Sequence, residues 1–250
     1  MNKAALFLAD GTRFDGNGLE FEGLALGEAV FYTGMTGYEE ALTDPSYAGQ
    51  ILTFTYPMIG NYGISGEGAQ YPRACVSGAV LKRIAHHPSH YTARQDLPSW
   101  LNEQRVPTMT DADTRSITIT LREHGTIWAA LAVGEGAIAQ AEARLTEFVR
   151  TATTKELVPS VATTVEHVEG NAHGPRVVLL DCGVKKAIIR ELTALGANVT
   201  VLPYNATEEE IMRYEPQAVF ISPGPGDPTD LPQTIDTLRS MLGKRPMYGV

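Results

Sequence analysis

The sequence predicts an α/β chain in two parts: an N-terminal α/β domain with a mixed or largely β core plus helices, then an incomplete doubly wound parallel sheet. Three observations carry this. From Arg176 onward, short apolar runs alternate with helical periodicities, as in strands joined by crossover helices. Before that, apolar runs separated by turn residues such as Asp10-Gly11 come first and helical patterns follow. Third, Phe220-Ile221-Ser222-Pro223-Gly224-Pro225-Gly226-Asp227-Pro228 drives an apolar strand into a turn where Pro and Gly alternate.

In chain order, Ala5–Leu8 and Glu28–Tyr32 read as strands, with the Asp10-Gly11 turn after the first. Ile51–Tyr56 is a further strand ending at Pro57, and Cys75–Leu81 another. Asp96 caps a helix over Leu97–Gln104, with Pro98 in its first turn. Thr114–Glu123 places Ile117 and Leu121 on one helical face and stops at Gly125. Ile127–Val133 is an apolar strand, and Ala137–Arg150, with Ala141, Leu145 and Phe148 in register, an amphipathic helix. Residues 1–150 therefore form one domain. Residues 151–175, Thr-rich and ending at His173-Gly174-Pro175, read as a linker. Residues 176–250 carry strands at Val177–Leu180, Asn198–Leu202 and Ala218–Ile221. Between them lie a helix with Val184, Ile188, Leu192 and Leu195 on one face, a capping box at Thr207–Glu210, and a helix on Leu231, Ile235, Leu238 and Leu242. Met247–Val250 begins a further strand.

Composition narrows the function classes. Hydrophobic content of 43% with 20% charged residues fits a folded domain of ordinary kind. A net charge of −9, with no Lys/Arg run longer than a pair, argues against nucleic acid. Two cysteines, Cys75 and Cys182, make no disulfide framework and fit a reducing cytoplasm. Ala4–Ala9 is too short for a signal-peptide core, and no apolar run approaches the roughly 18 residues of a membrane span.

The Pro/Gly turn is the chemically informative stretch. Pro223 and Pro225 fix φ and remove two N–H groups, while Gly224 and Gly226 present amides that no side chain shields. At the carboxyl end of a parallel strand, such amides suit a carboxylate, a phosphate or a developing oxyanion. An ordinary tight turn uses the same residues.

Several blocks together are similar to the small, glutamine-hydrolysing subunit family of carbamoyl phosphate synthetase. They are Gly34-Met35-Thr36-Gly37-Tyr38-Glu39-Glu40 with Leu42–Tyr47, Thr55–Gly63, Asp111–Arg115 with Leu121-Arg122-Glu123, Asp181–Lys186, and Ser222–Pro228. The last two resemble class I glutamine amidotransferases. The likeness spans essentially the whole chain. It departs at Pro223 and Ala187, where the family commonly has Asn.

The resemblance implies glutamine hydrolysis that delivers ammonia to a large subunit, which uses ATP and bicarbonate to make carbamoyl phosphate for pyrimidine and arginine synthesis. It implies glutamine held by Ser46, Gly224 and Gly226, with the Gly224 N–H also donating to the oxyanion. Residues 1–150 become the partner-binding domain and 176–250 the start of the amidotransferase domain. No cofactor or metal is implied in this subunit, ATP and Mg belonging to the partner. The family's nucleophilic Cys follows the strand matching Met247–Val250, with His and Glu later. The 250-residue chain is therefore expected to be a truncated stretch with no catalytic residue of its own and no glutaminase activity.

Other readings compete. An amidotransferase component of another pathway, such as anthranilate synthase, has a similar glycine loop but lacks the first 150 residues. A non-catalytic partner-binding fragment needs only those residues. Cys182, between a strand and a helix, has the setting of a nucleophile elbow, though a packing residue is the plainer reading. His86, His87 and His90 have metal-like spacing interrupted by Pro88, and read as a loop.

Overall fold

Closure of the first half into a barrel follows from how its apolar residues alternate. The computed structural model describes residues 2–250, which divide into two units, the first ending at Ala152 and the second running Thr153–Val250. In the first, β1 (Asn2–Leu8), β2 (Arg13–Gly18), β3 (Gly23–Tyr32), β4 (Gln50–Phe54), β5 (Gly78–Val80), β6 (Thr108–Thr110) and β7 (Ile127–Val133) close in the order β1-β2-β6-β5-β4-β3-β7. The β3-β4-β5-β6 run is parallel and the remaining pairings antiparallel.

Successive strand residues point to opposite faces. Leu6 and Leu8 of β1 join Ile51, Met109 and Leu131 in one cluster, the inward face, while Ala5 and Phe7 pack in another with Ala141 and Leu145. Those last two belong to α4 (Glu135–Thr151), whose apolar stripe covers β1 and β7. Helix α3 (Thr114–His124), capped by Asp113, sends Ile117 and Leu121 into the inward cluster. Each of these fully buried side chains contributes roughly 1.5–3 kcal/mol, so α3 is held mainly by its apolar face. A third cluster joins Leu52, Phe54 and Leu81 to Tyr38 and Leu42 of α1 (Tyr38–Leu42) and to Leu97 and Leu101 of α2 (Leu97–Glu103).

The second unit consists of α5 (Leu157–Val161), β8 (His167–Gly170), β9 (Arg176–Asp181), α6 (Lys186–Ala194), β10 (Asn198–Pro203), α7 (Glu208–Met212), β11 (Ala218–Ile221), α8 (Pro232–Met241) and β12 (Met247–Gly249). Its strands form one five-stranded sheet in the order β12-β11-β9-β10-β8. Strands β9–β12 are parallel. Val178 and Leu180 pack with Ile211 and Met241, whereas Leu179 packs with Ile189, so helices cover both faces.

Two features differ from the sequence reading. Residues 153–170, expected as linker, hold α5 and β8 and belong to the second unit. Strand β8 pairs antiparallel with β10, so the sheet carries one antiparallel edge. Among the described residues no helix is long and apolar enough to cross a membrane.

Candidate functional site

The chain leaves β9, forms α6 and returns as β10 on one side. It then forms α7 and returns as β11 on the other side of β9. The carboxyl ends of β9 and β11 are therefore the topological switch point, where the two following loops diverge and open a crevice.

The loop after β9 is fixed by Asp181, a buried carboxylate. One oxygen accepts from the N–H groups of Gly183 (2.8 Å) and Val184 (2.7 Å), the other from Thr163 N–H (2.7 Å). The loop after β11 is tied to it by Ser222, whose hydroxyl accepts from Cys182 N–H at 2.9 Å and donates to the Pro223 carbonyl at 2.8 Å. Gly224 then passes close to the first loop, and a Cβ there would lie 2.1 Å from the Cys182 carbonyl oxygen. Gly226 has φ +80°, a left-handed conformation that favours glycine.

The two amides that the sequence singled out are unengaged. Neither the Gly224 nor the Gly226 N–H meets an acceptor among the described residues, while the flanking prolines have no N–H to offer. This loop, with Cys182, Val158, Leu231 and Leu238, lines a cleft of about 330 Å³. Larger clefts of about 650 Å³ beside α2 and 540 Å³ beside α7 exist, but neither is lined by this loop. Unpaired main-chain donors, which size does not measure, select the smaller one. Chemically, the loop can hold an oxyanion or carboxylate without a cation.

Ser46 lies in the first unit, on a single 3-10 turn (Pro45–Tyr47) between α1 and β4. Its N–H donates to the Asp44 carboxylate at 2.9 Å. Its half-buried hydroxyl has no hydrogen-bond partner among the described residues. The turn is steadied by Thr43, whose hydroxyl donates to Glu39 O (2.7 Å) and accepts from Gln70 N–H (2.9 Å).

Both thiols are poor nucleophiles. Burial pushes Cys182 up to about 11, with the Asp181 charge adding to it. Burial likewise pushes Cys75 up to about 12, the Asp44 charge adding to this and Arg73 opposing it. Cys182 therefore enters the site through its backbone. Of the histidines, His90 engages Thr92 (2.7 Å), and among the described residues no group of three His, Cys, Asp or Glu could hold a metal.

Sequence reasoning missed residues 153–163 as part of the site. Val158 lines the cleft, Thr154 abuts Gly226, and Val161 stands against Gly183. The signal was slight: Leu157, Val158 and Val161 have helical spacing, but over a single short helix interrupted by Pro159.

Comparison with known proteins adds an independent line. The family described as carbamoyl-phosphate synthase small chain, CPSase domain, matches residues 6–131, and glutamine amidotransferase class-I matches residues 178–250. A carbamoyl phosphate synthase small chain from Bacillus anthracis is 42% identical over 253 residues, covering 99% of this chain and 67% of the relative. That of Lactococcus lactis subsp. lactis is 39% identical over 250 residues, covering 100% and 69%. That of Clostridium acetobutylicum is 38% identical over 254 residues, covering 99% and 70%.

Proposed function

The chain belongs to the carbamoyl phosphate synthase small chain family, and from that premise we propose that it serves as the glutamine-handling component, supplying ammonia to a large chain. The large chain supplies ATP and Mg chemistry in the cytoplasm and makes carbamoyl phosphate for pyrimidine and arginine synthesis. The observation that carries the reading is the pair of unpaired amides at the switch point.

In this reading, Gly224 N–H receives the oxyanion that develops when the glutamine amide carbon becomes tetrahedral. Gly226 holds the substrate through its main chain, and the Ser46 hydroxyl anchors it. A donor already aimed at the developing charge needs no reorganisation during reaction, and losing one lowers turnover by ~10²–10³. Amide hydrolysis also needs a thiolate and a base to move its proton. Cys75 and Cys182 are buried with raised pKa values, so these 250 residues bind and polarise glutamine but do not attack it. The chain alone is therefore inactive as a glutaminase.

Ser46→Ala tests the assignment cleanly, because among the described residues the hydroxyl has no partner whose loss would disturb the fold. In a full-length small chain that carries these residues together with its nucleophile, assembled with its large chain, KM for glutamine should rise ~10-fold, the equivalent of one hydrogen bond to a charged ligand. Ammonia-dependent carbamoyl phosphate formation should be unchanged. Equal loss of both activities, or no change in KM, would overturn the reading.

A further inference from the structure

Residues 153–163, which follow α4 in the chain, contact both loops of the cleft. The Thr154 hydroxyl donates to the Asp230 carboxylate, in the 3-10 turn (Pro228–Asp230) that ends the Pro/Gly loop. A Cβ at Gly226 would lie 3.0 Å from Thr154 Cβ, and one at Gly183 would lie 3.2 Å from Val161 Cγ2. Thr163 N–H closes the segment onto Asp181. This strap thus touches the loop after β9 at its far end and the loop after β11 at its near end.

The loop has little else to hold its outer half. Gly226–Thr229 is mostly exposed, and its own bonds are local: Asp227 accepts from the N–H and hydroxyl of Thr229, both at 2.8 Å, and Asp230 N–H donates to Asp227 O at 3.0 Å. Among the described residues, the Thr154–Asp230 bond is the single hydrogen bond tying residues 224–230 to a part of the chain distant in sequence. Resting on the site reading above, we propose that the strap holds the amide loop in place and that Thr154, through Asp230, is a positioning residue for glutamine turnover. Its β-branched side chain fills the space beside the left-handed glycine while its hydroxyl fixes the turn two residues beyond Pro228. Loss of the hydroxyl leaves the packing and frees the turn.

The test uses Thr154→Val, which keeps the shape and removes the donor, and Thr154→Ser, which restores the donor. Both variants are made in a full-length small chain that carries these residues together with its nucleophile, assembled with its large chain. Thr154→Val should lower kcat/KM for glutamine ~10-fold, within the range that small misplacements of a reacting group produce, with Thr154→Ser within ~2-fold of the parent. Ammonia-dependent synthesis should be unchanged in both. Hydrogen exchange across residues 222–230 should be several-fold faster in Thr154→Val than in the parent. Unchanged exchange, faster exchange with unaltered glutamine kinetics, or a Thr154→Ser variant as impaired as Thr154→Val would each overturn the proposal. Ser46→Ala in the same preparation separates the two readings: if it leaves glutamine kinetics intact the site assignment falls, whereas exchange still decides whether Thr154 holds the loop.

Discussion

Two regions carry the densest sequence signatures, residues 34–70 of the barrel unit and residues 222–228 of the sheet unit, and they spend their polar groups in opposite ways. In the barrel unit the signature's tyrosines and Glu39 bond within the block itself. Tyr38 and Tyr62 stack with ring centroids 4.1 Å apart. The Tyr62 hydroxyl accepts from the N–H groups of Gly37 (2.6 Å) and Tyr38 (3.1 Å), and the Tyr38 hydroxyl donates to Gly63 O at 2.8 Å. Glu39, only 2% exposed, accepts from Ser65 N–H (3.0 Å), Ser65 hydroxyl (2.9 Å) and Gly66 N–H (2.6 Å). In the sheet unit the Pro/Gly loop leaves two amides without partners among the described residues. A motif whose polar groups satisfy one another is architecture; unpaired groups that solvent can reach are open to a ligand. Within the barrel unit the Ser46 hydroxyl, like the buried Thr53 hydroxyl, has no hydrogen-bond partner among the described residues.

The sharpest way to break the contrast is Glu39→Ala. Three donors would lose a charged acceptor in a buried site, which costs about 3–5 kcal/mol. Both tryptophans, Trp100 and Trp128, lie in the barrel unit, so fluorescence-monitored urea unfolding reads that unit selectively. A loss below about 1 kcal/mol would mean the carboxylate is no anchor, and the motif's role would be open again.

Gly224→Ala is the counterpart in the sheet unit, and the structure changes what it means. In the sequence, Gly224 reads as a residue whose amide no side chain shields. The added Cβ meets the chain's own backbone first, at 2.1 Å from Cys182 O and 2.9 Å from Cys182 C. We expect a loss of stability of about 1–3 kcal/mol from overpacking, together with a fall of ~10² or more in glutamine-dependent turnover. Ammonia-dependent synthesis should survive. A variant with wild-type stability would show that the loop can move away from Cys182, and that the close approach does not fix the amides.

Legibility in the sequence followed the strength of the burial pattern. Strands β1, β4, β7, β9 and β10 were plain because their residues are apolar and mostly buried. Strand β2, Arg-Phe-Asp-Gly-Asn-Gly, and the three-residue β6 gave no alternation, yet their two paired positions, Asn17 with Thr110 and Gly18 with Met109, close the barrel. Closure was therefore invisible from the chain alone. Strand β8 buries no side chain, so it has no periodicity to find and its sequence reads as linker. The amide loop could be read because Pro and Gly act on the backbone at their own positions. The strap could not, because what makes Thr154 matter is Asp230, 76 residues away.

The smallest expected effect concerns one feature the two units share, a single buried thiol in each. Burial raises both, Cys75 to about 12 and Cys182 to about 11, from the ordinary 9.0. Because the folded values lie above the unfolded one, the protonated thiols favour the folded state fully below pH 9.0, and that contribution is lost as pH climbs through about 11–12. At about pH 8 both remain thiols, and the thiolate is the reactive form. A disulfide reagent should therefore label neither cysteine in the folded chain and both after unfolding in urea. Rapid labelling of Cys182 alone in the folded chain would give the sheet unit a nucleophile beside its oxyanion-type amides. The proposed contrast between an amide loop that holds glutamine and a nucleophile outside these residues would then fail at that residue.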